Sequence, residues 1–449
     1  MHAIVNGRIV LPDKILDDSV LLFDKNIIGI VSRETLDAAW DNGQSWKGNP
    51  LVLTDACGNY VAPGFINLHI HGCGGSDTMD AGDDSLAVMS RFLVQTGVTS
   101  FLPATMTCDM QTIYKALERV RENMTRIARR RDEKREPVLS AQDPCKEETA
   151  GMSISEKAST GCSCTGELEL CDDKIEIKEI RLPGAKVLGA YLEGPFISSF
   201  YKGAQKEEYI MPADFEPIKD YADEVKVVVL APETLENQDK VKAFIAQCKA
   251  HNIIVSLGHS AADYAAAQQA IEAGASHVTH LCNAMTGLHH RSPGLLGAAL
   301  DSDVTCELIA DDLHVHPAVQ RLIYRTKDTA KIELITDSIR ACGLPDGISE
   351  LGGQTVYVKN GEARLADGTL AGSTVTLNRA MANFRKNTGA TIPEVVRMVT
   401  ENQAQELGLF EKIGSLSPGA AADVTIFNED FVISHTFVDG REVYKNPNI

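Results

Sequence analysis

Between residues 65 and 337 one pattern recurs eight times: a short apolar run, then a more polar stretch that is mostly of helix length. The runs fall at 65–71, 98–103, 187–193, 225–230, 253–259, 277–280, 305–310 and 333–337, with helix-length stretches such as 263–273 and 317–327 between them. Apolar runs this short read as buried strands. Strands alternating with helices form a parallel sheet, and eight of them predict a (β/α)8 barrel whose chemistry sits at the C-terminal strand ends. Beyond the eighth run, 376–386 and 392–407 read as helices that pack back on the barrel.

The two ends of the chain read differently. Ala3-Ile4-Val5 leads into Asn6-Gly7, a hairpin signal, and Arg8-Ile9-Val10-Leu11 follows. Runs at 20–23 and 27–31 continue the pattern, and 356–358, Asn360-Gly361, 362–365, 423–427 and 435–438 repeat it near the other end. The expected fold class is therefore α/β: a (β/α)8 barrel with a small β-sandwich domain built from both termini. The sandwich would take 1–60, 351–375 and 411–449, the barrel 61–350, and the packing helices 376–410.

One segment breaks the rhythm. From about 129 to 182 the chain is polar and charged and carries Cys145, Cys162, Cys164 and Cys171. Their spacing is no standard zinc or iron–sulfur pattern, so a loosely ordered excursion is expected. The net charge of -19 argues against nucleic acid and against anionic membrane surfaces as partners. An anionic substrate would need a local cationic pocket. Residues 1–10 show no leader, no apolar stretch reaches membrane-spanning length, and eleven cysteines, an odd number, fit reduced thiols in the cytoplasm.

Ionisable residues gather at the ends of the apolar runs. The first run offers His69 and His71, the third Glu193, the fifth His259, the sixth His280 and the eighth Asp337. His69 and His71 are two apart, so on a strand both imidazoles face one side. Each residue alone reads equally well as a satisfied core or cap residue. Six at five of eight strand ends, in a chain with 12 histidines, point instead to one site at the barrel mouth. Imidazoles and carboxylates together hold one or two divalent ions, which suits metal-assisted hydrolysis. Asp337 is the candidate for proton transfer, because Gly343 and Pro345 follow too soon for it to cap a helix.

Pro63-Gly64-Phe65-Ile66-Asn67-Leu68-His69-Ile70-His71-Gly72 resembles the first metal motif of the amidohydrolase superfamily. Leu192-Glu193-Gly194-Pro195-Phe196, Gly258-His259-Ser260, His280-Leu281-Cys282-Asn283-Ala284-Met285 and Thr336-Asp337 resemble, within it, the N-acetylglucosamine-6-phosphate deacetylase family. The resemblance implies a metal-dependent hydrolase that removes the N-acetyl group of a phosphorylated amino sugar. It implies Glu193, His259 and His280 as ligands of one ion, with His69 and His71 matching the pair that holds a second ion in some members. Zinc is the first expectation, with iron or another transition metal as alternatives. Asp337 matches the general base and acid. Asn283, the Ala284 backbone and Arg291 match phosphate contacts, Arg291 reaching in from the neighbouring subunit of a homodimer, and His314 matches a sugar contact. One position departs: some members have histidine where this chain has Gln205, which donates a hydrogen bond to a carbonyl only as a neutral group. Two rival readings are a cyclic-amide hydrolase of the same barrel and a non-catalytic sugar-phosphate binder. The first usually needs a bridging lysine, absent from the third and fourth strand ends, and the second predicts lost ligands, of which there are none.

Overall fold

The eight apolar runs pair in parallel, in chain order, and close on themselves. Phe65–Ile70 pairs with Val98–Pro103, which pairs with Lys186–Val187. Ala190–Leu192, Val225–Leu230, Ile254–Leu257, His277–Val278, Thr305–Ile309 and Ile332–Ile335 follow, each beside the next. A bridge between Ala104 and Tyr191 joins the two sets. The ring is sealed where Asp337 N–H donates to His69 O at 2.9 Å and His71 N–H donates to Ser338 O at 2.9 Å. These seams lie at the strands' C-terminal ends, so the closure and the candidate site share residues. The computed structural model describes all residues except 39, 42–44, 47–48, 83 and 133–183. The cysteine-bearing part of the excursion therefore lies outside the described residues.

Several expected elements shift for identifiable reasons. The third run splits at Leu188-Gly189, where the chain passes so close to the Glu224 carbonyl that a Cβ on Gly189 would lie 2.6 Å from it. The single helix expected at 392–407 is two, Ile392–Arg397 and Glu401–Glu406. Met398 and Val399 between them turn their carbonyls to the barrel, accepting Leu334 N–H at 3.0 Å and Ile66 N–H at 2.7 Å. Strand backbone groups that would otherwise be buried unpaired outweigh helical continuity there.

An eight-stranded sheet is built from both termini. Arg441–Lys445, Ile433–Val438, Val424–Phe427, Tyr60–Pro63, His2–Val10, Ile15–Phe23 and Ile27–Ser32 lie side by side, and Val52–Asp55 also pairs with His2–Val10. Asn6-Gly7 makes no hairpin: His2–Val10 runs straight through it. Asn6 and, opposite, Asp18 both have positive φ, and the pairing register shifts on either side of Gly7. This paired bulge puts Ile4 and Ile9, five apart, into the same apolar cluster. Asn360-Gly361 does form the two-residue turn expected of such a dipeptide, between Gln354–Lys359 and Glu362–Arg364. With Gly347–Leu351 those strands form their own three-stranded sheet and do not return to the sandwich as expected. Val356 and Val358 pack on Met106, Ile339 and Ala341 beside the barrel mouth, and Gln354 Nε2 donates to Ala204 O at 2.6 Å. Among the described residues no helix is long and apolar enough to cross a membrane.

The barrel interior is not wholly apolar. His277, Glu307 and Glu333, from three adjacent strands, are completely buried. His277 Nε2 lies 3.3 Å from Glu307 Oε1 and 3.9 Å from Glu333 Oε2, while its Nδ1 lies 3.5 Å from Glu406 Oε1. Burial pushes the Glu333 carboxyl up to about 8, against the pull of His277. An acid whose folded pKa is raised keeps its proton while the unfolded chain has lost it. Its contribution to stability is therefore intact below about pH 4.5 and declines as pH rises toward about 8. In Glu333→Gln the drop in Tm between pH 5 and pH 8 should be smaller than in the unaltered protein, measured by calorimetry at both pH values. An unchanged drop would mean that Glu333 does not hold a proton in the fold.

Candidate active site

The strands end in side chains that turn into one cleft. Glu193 follows Ala190–Leu192, His259 follows Ile254–Leu257, His280 follows His277–Val278 and Asp337 follows Ile332–Ile335. His259, His280 and Asp337 all have positive φ, at 47°, 28° and 47°. Side chains with a Cβ resist that conformation by about 1–2 kcal/mol each, so neighbouring bonds must hold them. His259 O accepts Ser198 N–H at 2.8 Å, His280 O accepts Asn283 N–H at 2.9 Å, and Asp337 O accepts Ser373 N–H at 2.8 Å. The kinked strand ends aim the side chains across the mouth.

Two trios of potential ligands result, His69, His71 and Asp337, and Glu193, His259 and His280, all buried. The Glu193 carboxylate stands between them. Its Oε1 lies 3.0 Å from Nε2 of both His259 and His280, and its Oε2 lies 2.9 Å from His71 Nε2. Asp337 Oδ1 is 3.2 Å from His71 Nε2 and 3.6 Å from His69 Nε2. His259 and His280 bring their Nε2 atoms within 3.1 Å of each other.

The donor set fits a metal. His259 Nδ1 faces Tyr201 O at 2.8 Å and His69 Nδ1 faces Glu307 Oε2 at 3.0 Å. With the protons there, each ring presents the Nε2 lone pair to the site. His69 Nε2 and Asp337 Oδ1 are buried with no hydrogen-bond partner. The electrostatics also call for a cation. Burial lowers the His71 pKa, but Glu193 and Asp337 overcome this and take it to about 10. Burial raises that of Glu193, yet His69, His71 and His259 hold it well below the usual carboxylate range. Positive charge belongs at this point, as protons or as metal.

The cleft in front of the trios has a volume of about 330 Å³. It is lined by Gln205, Asn283, Ala284 and His314 as well as Met106, Phe200, Tyr201, Leu351 and the 369–372 segment. Gln205 is held at both ends: Nε2 donates to Glu193 Oε2 at 2.8 Å and Oε1 accepts Thr107 N–H at 2.7 Å. Asn283 Nδ2 donates to the carbonyls of His280 and Leu281. His314 Nδ1 pairs with Asp311 Oδ2 at 2.7 Å. Arg291 stands apart, exposed, outside this cleft, with Nη1 3.0 Å from His290 Nε2. Among the described residues lining the cleft there is no lysine or arginine.

Three features escape a reading of strand ends. Glu307 lies in the middle of a strand, and the signal for it is a carboxylate inside an otherwise apolar or small-residue run. Tyr191 stacks on His69 with ring centroids 4.1 Å apart, and Tyr201 contributes only its carbonyl to His259. A backbone carbonyl leaves no residue-type signal.

Comparison with known proteins agrees with this geometry. A family model described as amidohydrolase family matches residues 60–443. The N-acetylglucosamine-6-phosphate deacetylase of Bacillus subtilis (strain 168) is 38% identical over 85% of this chain and 84% of its own length. The N-acetylgalactosamine-6-phosphate deacetylase of Escherichia coli O157:H7 is 32% identical over 87% of this chain and 90% of its own. The crystal structure of N-acetylglucosamine-6-phosphate deacetylase from Pasteurella multocida superimposes with a TM-score of 0.78 at 29% identity, covering 99% of this chain and 100% of that one. The chain belongs to the amidohydrolase family and groups there with the N-acetylglucosamine-6-phosphate deacetylases.

Proposed function

We propose that the protein hydrolyses the N-acetyl group of N-acetyl-D-glucosamine 6-phosphate, giving D-glucosamine 6-phosphate and acetate. The observation that carries this is the meeting of two ligand trios, with Asp337 among them, at the floor of one cleft at the barrel mouth. The sugar phosphate is the substrate in the names of the Bacillus and Pasteurella relatives. The Escherichia relative acts, by its name, on the epimeric galactosamine sugar. Acetate release from both epimers, measured side by side, decides between them; faster release from the galacto sugar would overturn the choice made here.

Glu193, His259 and His280 would hold one divalent ion, and His69, His71 and Asp337 a second, with zinc the first choice for such donors. When bound, such an ion lowers the pKa of a coordinated water toward ~7 and polarises a carbonyl oxygen. Asp337 takes the proton of the attacking water and returns it to the amide nitrogen as the C–N bond breaks. Gln205 steadies Glu193 and keeps a second amide hydrogen for an oxygen in the cleft. His314, with its Nδ1 proton given to Asp311, offers Nε2 to a sugar hydroxyl. By the resemblance, Asn283 and the Ala284 N–H would take the phosphate; both line the cleft, and Asn283 Nδ2 would turn to it from the carbonyls of His280 and Leu281. Arg291, which in its own chain lies outside the cleft, would complete that pocket from the neighbouring subunit of a homodimer, as the resemblance implies.

Asp337→Asn should keep the ion at Glu193, His259 and His280 and lose turnover by about 10²–10⁴-fold or more, as expected when proton transfer is removed. Near-normal turnover would take Asp337 out of the mechanism. Protein purified without chelators should carry two divalent ions per chain, and His69→Ala with His71→Ala should bring elemental analysis down to one. An unchanged metal content would make that pair structural. Arg291→Ala should lower kcat/KM for the 6-phosphate about ten- to a hundredfold, the equivalent of one charge-assisted hydrogen bond at about 1.5–3 kcal/mol. Hydrolysis of unphosphorylated N-acetylglucosamine should scarcely change. Mixing Arg291→Ala with Asp337→Asn chains should restore activity, because some mixed sites pair an intact Asp337 with a partner's intact arginine. Equal losses on both substrates would leave Arg291 with a role in the fold only.

A further inference from the structure

The seventh barrel strand, Thr305–Ile309, carries one acidic residue, Glu307, fully buried beneath the site. Its Oε2 faces two donors at once, His69 Nδ1–H at 3.0 Å and the backbone N–H of His280 at 2.9 Å. Its Oε1 lies 3.3 Å from His277 Nε2, and its backbone carbonyl accepts Leu281 N–H at 2.8 Å. His69 belongs to one trio and His280 to the other. A single oxygen thus fixes a ring in the first and a strand end in the second.

We propose that Glu307 is a positioning residue that couples the two trios, setting the donor geometry of both. The inference rests on the two-ion reading given above. An imidazole that ligates through Nε2 must keep its proton on Nδ1, and a carboxylate acceptor there fixes the tautomer and the ring plane and makes the ring a better donor. His280 needs the same oxygen for another reason. Its φ of 28° is unfavourable, and an N–H without an acceptor would favour relaxation of the strand end. His277, between Glu307 and Glu406, engages the other oxygen of the Glu307 carboxylate.

The experiment titrates metal-stripped protein with Zn²⁺ by calorimetry, in the unaltered chain and in Glu307→Gln, with thermal unfolding of both metal-free forms. The variant should bind both ions about 10–100-fold more weakly, the usual effect of removing such a partner, with a metal-free Tm close to that of the unaltered chain. Unchanged affinities, or a lower Tm with unchanged affinities, would show Glu307 to be structural only. Weakening of one ion alone would end the coupling. Should the unaltered chain take up a single Zn²⁺, the two-ion reading fails by itself, before any variant is compared. Should Glu307→Gln not fold, the decision falls to the unaltered zinc-loaded protein labelled with ¹⁵N-histidine. Its spectrum should contain a slowly exchanging Nδ1 proton that disappears in His69→Ala, and absence of that signal would overturn the proposal.

Discussion

The Glu193 carboxylate has almost no access to solvent, and the site is arranged around that fact. An ionised carboxylate taken out of water is costly unless charge and hydrogen bonds replace its hydration. Three imidazole nitrogens within 3.0 Å and one carboxamide donor do so here. Three of those four residues are anchored behind: Gln205 through Thr107, His259 through the Tyr201 carbonyl, His280 through its backbone N–H to Glu307. Removing an anchor would therefore reach the carboxylate without touching it. The same arrangement suits a divalent cation, which supplies in one particle the charge that protonated imidazoles would otherwise have to provide.

Barrel closure belongs to the same system. The first and eighth strands are joined at His69, His71, Asp337 and Ser338, so backbone bonds that complete the ring also set the spacing of one trio. Asn67 Nδ2 donates to Thr336 Oγ1 at 2.8 Å one step further in, and the carbonyls of Met398 and Val399 serve the same seam from outside. Fold stability and site geometry cannot vary independently at this edge. That accounts for the unfavourable backbone angle of Asp337, whose N–H is held by the seam and whose carbonyl is held by Ser373.

Much of this was legible in the residues. The rhythm of apolar runs carried the barrel, and the ionisable groups at run ends carried both trios, because a strand end is a place where a side chain leaves the core. What the sequence could not reveal was decided by partners far along the chain. Asn6-Gly7 and Asn360-Gly361 are the same dipeptide, yet one is a bulge and the other a turn. A Cβ on Gly7 would lie 2.5 Å from Val61 Cγ2, and that packing holds the first strand in line. Residues 398–400 have the spacing of a helix and lose it to hydrogen bonds with strands more than sixty residues away. Glu307 is a different case: it stands in mid-strand, away from the strand ends that mark the other site residues, although a lone carboxylate in an apolar run rarely lacks a partner.

The phosphate poses the remaining physical problem. At neutral pH it brings about 1.5–2 negative charges to a chain already at -19, into a cleft lined by Glu193 and Asp337 and by no lysine or arginine. Divalent ions held by the two trios would offset the two carboxylates, but at the acetyl end of the proposed substrate. At the proposed phosphate end the cleft lining supplies neutral groups only. Ala284, at φ 49°, and Cys282, at φ 80°, bend the backbone sharply here; the Asn283 N–H between them is given to the His280 carbonyl, which leaves the Ala284 N–H as the backbone donor proposed for the phosphate. Neutral donors orient an anion well but attract it weakly against a repulsive field. A guanidinium adds charge and a planar fork matched to phosphate oxygens. Arg291 lies on an exposed loop that starts just past Ala284 and is not among the residues lining its own cleft, which fits the proposal that the cleft it serves is another chain's. On that reading the single chain is complete for amide hydrolysis and incomplete for its phosphorylated substrate, and assembly supplies the difference.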